Sequence, residues 1–198
     1  MALTPSTMLP LGTQCPDFRL PDVVSGKAVS RADLAGTPAL LVMFICRHCP
    51  YVQHVKDELA RLGNAYAGKG AGVVAISAND AGKYPDDAPE QLAAMAKAQG
   101  FRFPFLYDER QEVAKTFTAA CTPDFFLFDG AGKLVYRGQL DDSRPGNGTP
   151  VTGKDLRDAL DAVLAGKAPG AEQRSSIGCN IKWKPGNEPA YYGAGAKA

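Results

Sequence analysis

The stretch PALLVMFICRHCPYV, residues 38–52, decides the fold. Its first part, residues 38–45, is a continuous apolar run, which is typical of a strand buried on both faces of a sheet. After Cys46-Arg47-His48-Cys49, apolar residues recur at spacings of three and four, as on one face of a helix: Val52, Val55, Leu59, Leu62 and Tyr66. The pattern predicts a central strand, a Cys-x-x-Cys turn and a helix that ends near Gly68.

The two cysteines of this turn are placed for reversible disulfide chemistry. Three residues apart at the start of a helix, Cys46 and Cys49 share one face and lie within disulfide reach at the carboxyl edge of the sheet. The unpaired N–H groups and the positive dipole end of the helix favour a thiolate, which is the nucleophile in disulfide exchange. We expect Cys46 to be the exposed, low-pKa thiol that attacks, and Cys49 to be the shielded thiol that resolves.

The residues between the cysteines are expected to tune this chemistry. Arg47 adds a fixed positive charge, and His48 can carry a positive charge or donate a hydrogen bond, so both are expected to lower the pKa of Cys46. A stabilised thiolate favours the reduced form and makes the disulfide more oxidising. Exchange between thiols needs no dissociable cofactor.

Two other interpretations of the cysteines stay open: half of a zinc site, or inert packing. A structural zinc site has four ligands, usually supplied as two closely spaced pairs. The remaining candidates, Cys121, Cys179 and His54, stand singly. A redox dithiol is therefore favoured near a strand–helix–strand pattern, and no metal is expected.

The rest of the chain alternates between strand and helix signals. Strands are predicted at residues 73–76 and 103–107, and a hairpin at 125–136 around Asp129-Gly130-Ala131-Gly132. Residues 18–30 are expected to form a small hairpin or an extended lead-in. Helices are predicted at 89–99, 111–119 and 154–164, the last capped by Thr152 and stopped by Gly166. This alternation predicts an α/β fold. Because no repeat or linker appears, residues 1–198 are expected to form a single domain with an N-terminal segment, 1–14, and a C-terminal tail, 167–198.

Composition excludes several classes of partner. The 22 Lys and Arg against 21 Asp and Glu give a net charge of +1, without a basic cluster, so a nucleic-acid partner is not expected. The apolar run at residues 39–46 is far shorter than the ~20 residues that span a bilayer. The first basic residue is Arg19, so the charged start of a signal peptide is missing. These features predict a cytoplasmic protein that does not contact a membrane, in which an odd number of cysteines, 5, serves chemistry rather than a structural framework.

Three motifs resemble the thioredoxin superfamily, and more narrowly the thioredoxin-like proteins grouped with redoxins and alkyl hydroperoxide reductases. They are residues 46–52 (CRHCPYV), 121–129 (CTPDFFLFD) and 177–183 (IGCNIKW). The resemblance spans residues 15–185. It implies a thioredoxin fold, in which a central mixed sheet is flanked by helices and extended by an N-terminal β segment.

The resemblance also implies roles for particular residues. Cys46 and Cys49 would be the catalytic dithiol. Thr122 and Pro123 would form the cis-proline element that faces the dithiol and binds substrate. Cys121, two residues before the proline, and Cys179, in the tail, are candidates for a third thiol.

Departures from the family patterns bear on the reaction. Peroxiredoxins carry a Thr three residues and a Pro seven residues before the reactive Cys, where Cys46 has Met43 and Ala39. We therefore predict a thiol-disulfide oxidoreductase that acts on a protein or small-molecule thiol or disulfide and uses an electron donor that the sequence does not identify. A thiol peroxidase is the alternative, and a zinc-binding or scaffold protein is the alternative from another class.

Thioredoxins also place a Trp directly before the first Cys and a buried Asp six residues before it. Here Ile45 and Leu40 occupy these positions, so the proton acceptor for Cys49 is not identified, and His54 and Asp80 are candidates.

The tail contains apolar residues that a solvated segment would not need. Burial of Ile177, Ile181 and Trp183 would contribute ~1.5–3 kcal/mol each toward ordering it. We expect an ordered tail in which Trp183, the one tryptophan of the chain, covers the dithiol and Cys179 lies near it.

Overall fold

The computed structural model describes residues 3–193. Its strands are β1 (Leu3–Pro5), β2 (Arg19–Pro21), β3 (Ala28–Ser30), β4 (Ala39–Phe44), β5 (Gly72–Ser77), β6 (Phe105–Tyr107), β7 (Cys121–Thr122), β8 (Asp124–Asp129), β9 (Leu134–Gly138) and β10 (Ile177–Asn180). Its α-helices are α1 (Pro50–Gly68), α2 (Pro89–Gln99), α3 (Glu112–Thr116) and α4 (Lys154–Leu164). The order of elements confirms the predicted α/β alternation.

A five-stranded mixed sheet forms the centre, in the order β6-β5-β4-β8-β9. Strand β4 pairs parallel with β5 and antiparallel with β8, and all six of its residues are buried. Its alternating side chains enter two apolar clusters: Leu41 and Met43 pack with α1, α2 and α4, whereas Val42 and Phe44 pack with α3. A strand covered on both faces needs apolar residues at every position, which explains the continuous run in the sequence.

Helix α1 begins at Pro50, directly after the second cysteine of the turn. A proline fits the first helical position because its missing N–H would have no partner there. The predicted apolar face is buried against the sheet, as the exposures of Val52, Leu59 and Tyr66 show. The strand–turn–helix prediction is thus confirmed.

Strands from near the start and near the end of the described range meet in a second, three-stranded sheet of order β1-β10-β7. Strand β10 pairs antiparallel with β1 on one side and with β7 on the other. The predicted N-terminal β segment and ordered tail are present within the described range, and residues 1–2 of the one and 194–198 of the other lie outside it. Of the two alternatives for residues 18–30, β2 and β3 form the hairpin.

The tail packs as expected, but Trp183 does not cover the dithiol. Ile181 and Trp183 are buried in the cluster that contains α3, whereas both cysteines of the turn belong to the other cluster. After β10 the backbone N–H of Lys182 donates to Asn79 Oδ1 (2.8 Å), and the chain continues on the face of the sheet that packs with α3. Trp183 then packs edge-on against Tyr191, with ring centroids 6.3 Å apart. The expectation was wrong because the tail crosses to the opposite face.

Helix α4 is capped differently from the prediction. Its N-cap is Gly153, with φ 67°, rather than Thr152. Asp141 Oδ2 accepts the backbone N–H groups of both Thr152 (2.7 Å) and Gly153 (2.6 Å), so a distant carboxylate orders this turn. Within residues 3–193, no helix combines the length and apolar character needed to cross a membrane.

Candidate active site

Cys46 and Cys49 lie at the junction of β4 and α1. Cys46 follows the carboxyl end of β4, and Cys49 is the N-cap of α1. Both are almost fully buried, with 1% and 0% of their surface exposed. No disulfide links the five cysteines of the chain, all of which are in the described range. Each of the two thiols is among the causes that shift the pKa of the other.

Thr122 contacts both sulfur atoms. Its hydroxyl oxygen lies 3.3 Å from Cys46 Sγ, and its carbonyl oxygen lies 3.2 Å from Cys49 Sγ, where a protonated Cys49 donates to it. The Thr122-Pro123 peptide bond is cis, as predicted. The β7 segment therefore faces the dithiol, and Thr122 is the residue that meets it.

The backbone of the turn is fixed by Asp87, which the sequence analysis did not identify. Asp87 is fully buried, and its Oδ1 accepts the backbone N–H groups of Arg47 (2.7 Å) and His48 (3.0 Å). Its Oδ2 accepts from Asn79 Nδ2 at 2.7 Å and bonds His48 Nδ1. The neighbouring Asp86 forms an exposed ion pair with the Arg47 guanidinium at 2.6 Å. Acidic residues 39 and 40 positions away thus hold both central residues of the motif.

His48 and Asp87 shift each other toward an ion pair. The hydrogen bond to Asp87 raises the pKa of His48, although partial burial opposes this. Burial works to raise the pKa of Asp87, but hydrogen bonds from His48 and Asn79 hold it below its usual value. The His48 ring also stacks on Tyr84, with centroids 5.3 Å apart. The site therefore favours an imidazolium beside the thiols.

The predicted exposure of Cys46 was wrong, and the pKa shifts of the two cysteines run opposite to the expected order. Burial is the largest of the causes that raise the pKa of Cys46 well above its usual value, and Cys46 is not exposed. Hydrogen bonds from Cys179 and Cys46 lower the pKa of Cys49. Charge is favoured on Cys49 because two thiols donate to it and because Cys49, rather than Cys46, stands at the helix N-terminus. The effect expected of Arg47 and His48, a low pKa at Cys46, is not seen.

The two candidate third thiols have different surroundings. Cys179, in β10, lies opposite Thr122 in the strand register and is hydrogen-bonded to Cys49. Cys121 is fully buried, its Sγ lies 3.6 Å from the Pro123 carbonyl oxygen, and burial raises its pKa. Of these two cysteines, Cys179 is the one that interacts with the dithiol, through Cys49.

Neither candidate for the proton acceptor of Cys49 is brought to the thiols. His54 Nε2 bonds Ser143 Oγ at 2.7 Å, and Asp80 Oδ1 accepts the backbone N–H of Gly82 at 3.1 Å. The titratable pair at the site is instead His48 and Asp87. A faint signal existed in the sequence, since adjacent aspartates occur in the turn-rich segment that precedes α2.

Within residues 3–193, one group of side chains could offer ligands to a metal ion. Single ligand atoms of Cys46, His48 and Asp87 all lie within 4.8 Å of one another. The carboxylate of Asp87 is already engaged by two backbone N–H groups, the His48 ring and the Asn79 amide. Three ligands, one of them so committed, are a poor match to the four of a structural zinc site.

Comparison with known proteins places the chain in a family. The AhpC/TSA family profile matches residues 11–137, well over half of the chain. The chain is 34% identical over 112 residues to a Mycobacterium tuberculosis protein named "Putative peroxiredoxin Rv2521"; the match covers 56% of this chain and 65% of the length of that relative.

Solved structures agree on the fold. A crystal structure of an uncharacterized conserved protein from Geobacillus kaustophilus is 55% identical, covers 93% of this chain and 98% of its own, and superposes with a TM-score of 0.91. A thiol:disulfide interchange protein from Chlorobium tepidum, at 20% identity, covers 79% of this chain and 99% of its own with a TM-score of 0.60. The chain has the thioredoxin fold and belongs to the AhpC/TSA family of redox proteins.

Proposed function

We propose that the protein is a thiol-disulfide oxidoreductase in which Cys46 and Cys49 form the catalytic dithiol. The observation that carries this proposal is the contact of both sulfur atoms with Thr122, at 3.3 Å for Cys46 Sγ and 3.2 Å for Cys49 Sγ. Two cysteines that served packing alone would not need a helix N-terminus and a buried carboxylate that orders their turn. We take the chain to be a single domain. Strands β1 and β10, from near the start and near the end of the described range, pair in the sheet beside the dithiol.

The reaction begins with Cys46 protonated and Cys49 ionised. Cys49 takes the proton of Cys46 as Cys46 Sγ attacks a substrate disulfide R–S–S–R′. This forms the mixed disulfide Cys46–S–S–R and expels R′S⁻, which leaves as R′SH with the proton from Cys49. Cys49 Sγ then attacks Cys46 Sγ, forms the Cys46–Cys49 disulfide and expels RS⁻. The substrate gains two electrons and the dithiol loses them.

His48 and Asp87 support this sequence without bonding to substrate. The imidazolium of His48 favours a thiolate in the dithiol through its charge, and Asp87 holds the backbone of the turn that carries both sulfurs. Thr122 faces Cys46 through its hydroxyl group and would meet an incoming chain with Pro123. Arg47 offers an exposed positive charge at the rim of the site.

The partners are a thiol or disulfide substrate and a reductant that returns electrons to the dithiol. We propose that the protein is cytoplasmic and acts as a reductase, because a reducing cytoplasm would keep the dithiol in its reduced form. Exchange between sulfurs requires no cofactor.

The proposal is tested by insulin reduction with dithiothreitol as the electron donor, using Cys46→Ser and Cys49→Ser variants. We expect the wild-type protein to accelerate precipitation of insulin and both variants to lose this activity. Cys49→Ser should also trap a mixed disulfide with thionitrobenzoate at Cys46, detected by intact mass. Retained activity in Cys46→Ser, or a mixed disulfide at another cysteine, would refute the assignment.

A thiol peroxidase is the second candidate, favoured by family membership and by the name of the Mycobacterium relative. In that case hydrogen peroxide would oxidise one cysteine to a sulfenic acid before any disulfide forms. Trapping with dimedone at early times distinguishes the two reactions. A zinc-binding role is tested separately by the zinc content of the purified protein, which should be far below one ion per chain if the dithiol is redox-active.

A further inference from the structure

Cys49 has two sulfur neighbours, one inside the motif and one from the far end of the chain. Cys179, in β10, and Cys46, three residues earlier, are the two largest causes that lower the pKa of Cys49. Cys179 lies opposite Thr122, whose carbonyl oxygen is 3.2 Å from Cys49 Sγ, and 3% of its surface is exposed. The site therefore brings a third buried thiol to the dithiol, on the side of Cys49.

The position of Cys179 is set by close backbone packing. In the antiparallel register of β10 and β7, Cys179 lies opposite Thr122, the residue that contacts both motif sulfurs. The preceding residue is Gly178, where a Cβ atom would lie 2.0 Å from the Thr122 carbonyl oxygen. Only a glycine lets the strand approach this closely, so β10 is built to lie against the cis-proline segment.

We propose that Cys179 is a third redox thiol, which exchanges with the Cys46–Cys49 disulfide to form a Cys49–Cys179 disulfide. The inference rests on the proposed function, since it needs the first disulfide as its oxidant. In this step Cys179 Sγ attacks Cys49 Sγ, the Cys46–Cys49 bond breaks, and Cys46 leaves as a thiolate that takes the proton Cys179 gave up. No electrons enter or leave the protein.

The charges around Cys179 favour this exchange in the oxidised protein. The hydrogen bond to Cys49 is the largest cause that raises the pKa of Cys179 in the reduced state. Once Cys49 is in a disulfide it carries no charge and this cause disappears, which leaves burial as the main cause that raises the pKa of Cys179. The positive charge of Lys182, which lowers the pKa of Cys179, remains; its Nζ is held 2.8 Å from Asn180 Oδ1.

The consequence is a division of labour among the three sulfurs. When the disulfide moves to Cys49 and Cys179, Cys46 becomes a thiol again beside the Thr122 hydroxyl while the protein stays oxidised. Cys46 can then engage a second thiol or disulfide compound, and the stored disulfide is reduced later by the electron donor.

The sequence allows a direct assay, because trypsin places each cysteine on its own peptide. Cleavage at Lys and Arg gives residues 32–47 for Cys46, 48–56 for Cys49 and 175–182 for Cys179. The full-length protein is oxidised with diamide, quenched in acid, alkylated with N-ethylmaleimide and digested. We expect both the 32–47/48–56 and the 48–56/175–182 cross-linked pairs, the second accompanied by alkylated Cys46.

Variants separate this inference from the proposed function. Cys46→Ser lacks the first disulfide that acts as the oxidant in the exchange, so it should form the 48–56/175–182 pair more slowly than the wild-type protein, and Cys179→Ser should form the 32–47/48–56 pair alone. Gly178→Ala keeps all three thiols but pushes β10 away, and should reduce the 48–56/175–182 pair at least about tenfold relative to the other pair. Cys121→Ala, a neighbouring buried thiol in β7, should change neither pair.

The outcomes are decisive in both directions. If wild-type protein yields the 32–47/48–56 pair alone at every time point, Cys179 is a packing residue and the inference fails while the proposed function stands. If no 32–47/48–56 pair forms in any protein, the proposed function itself fails. If Gly178→Ala forms the 48–56/175–182 pair as readily as wild type, the structural basis of the inference is wrong.

Discussion

His48 Nδ1 bonds the carboxylate of Asp87, which is fully buried beside the dithiol. The same carboxylate accepts two backbone N–H groups of the Cys-x-x-Cys turn. Asp87 therefore pairs with the His48 ring and also fixes the backbone between the two cysteines. It orders the turn of the motif, although it lies 40 residues away from Arg47 in the sequence.

Asp87→Asn is expected to destabilise the protein. An amide cannot accept from both the turn and the side chains of His48 and Asn79, which leaves buried donors unsatisfied at a cost of about 1–3 kcal/mol in the free energy of unfolding. Urea unfolding of reduced protein at pH 6 measures this difference. The control is Asp86→Asn, since the Asp86–Arg47 ion pair is exposed and should contribute less than about 1 kcal/mol.

The same pair gives a stability difference that depends on pH. The pKa of Asp87 is lowered by folding, so its contribution is present above the usual value of 3.8 and is lost as the pH falls through the lower folded value. The pKa of His48 is raised, so its contribution is present below 6.5 and is lost as the pH rises through the higher folded value. The gap between wild type and Asp87→Asn should be widest between these limits. A gap constant from pH 3 to pH 9 would contradict the ion pair.

Thr122→Val is expected to slow the attack of Cys46. The substitution keeps the shape of the side chain but removes the hydroxyl group 3.3 Å from Cys46 Sγ, a contact that lowers the pKa of this cysteine. Loss of one such hydrogen bond, about 0.5–1.5 kcal/mol, corresponds to a two- to tenfold slower reaction. The rate of thionitrobenzoate release from its disulfide, measured across pH in a Cys49→Ser background, reports this step.

Thr122→Ser is the matched control, because it retains the hydroxyl group and should restore most of the rate. The pH profile adds a readout that a merely structural effect would not move, since its midpoint should shift upward in Thr122→Val. Equal rates for the valine and serine variants would exclude a role for the hydroxyl group.

The dithiol and its setting were predictable because they depend on local pattern. The apolar run before Cys46 and the helical spacing after Cys49 each lie within one element, and both predictions were confirmed. The family motif also supplied Thr122 and Pro123, which the sheet brings to the sulfurs. These features could be predicted because they depend on residue spacing within one element or on a recognised sequence motif.

Other features depend on long-range packing that a single sequence does not encode visibly. Asp87 reaches the turn from a loop about forty residues away, and its neighbour Asp86 has the same residue type but is exposed. Cys46 is buried with the Thr122 hydroxyl group against it, and this burial is the largest cause that raises its pKa, against the expected direction. The wrong prediction for Trp183 also reflects long-range packing. The hydrogen bond from the tail to Asn79 helps to determine which face of the sheet Trp183 reaches.

Asp124 is expected to make stability fall as the pH rises from 4 to 8. This carboxyl is fully buried, and burial raises its pKa from 3.8 to about 7. The folded protein then binds more protons than the unfolded chain over this range, so the free energy of unfolding decreases with pH, by up to about 4 kcal/mol. Asp124→Asn removes the titration and should flatten the profile in urea unfolding experiments.

The control for this profile is Asp57→Asn, an exposed position on α1. That variant should keep the pH dependence of the wild-type protein. A wild-type profile that is already flat between pH 4 and pH 8, or one that Asp124→Asn leaves unchanged, would show that Asp124 ionises normally.

Gly138→Ala is expected to detach the segment that leads into β10. Gly138 has φ 152°, and a Cβ atom there would lie 2.3 Å from the carbonyl oxygen of Arg174, to which Gln139 donates its backbone N–H at 2.9 Å. Backbone strain and overpacking together should cost about 2–4 kcal/mol. Trypsin should then cut after Arg174 in the native variant faster than in the wild-type protein, as followed by mass spectrometry. Gly170→Ala is the matched control in the same tail, because a Cβ atom there meets nothing within 4 Å and should leave both stability and cleavage unchanged. Equal cleavage rates for the two variants would mean that Gly138 does not secure the tail, and that β10 is held by its strand pairing alone.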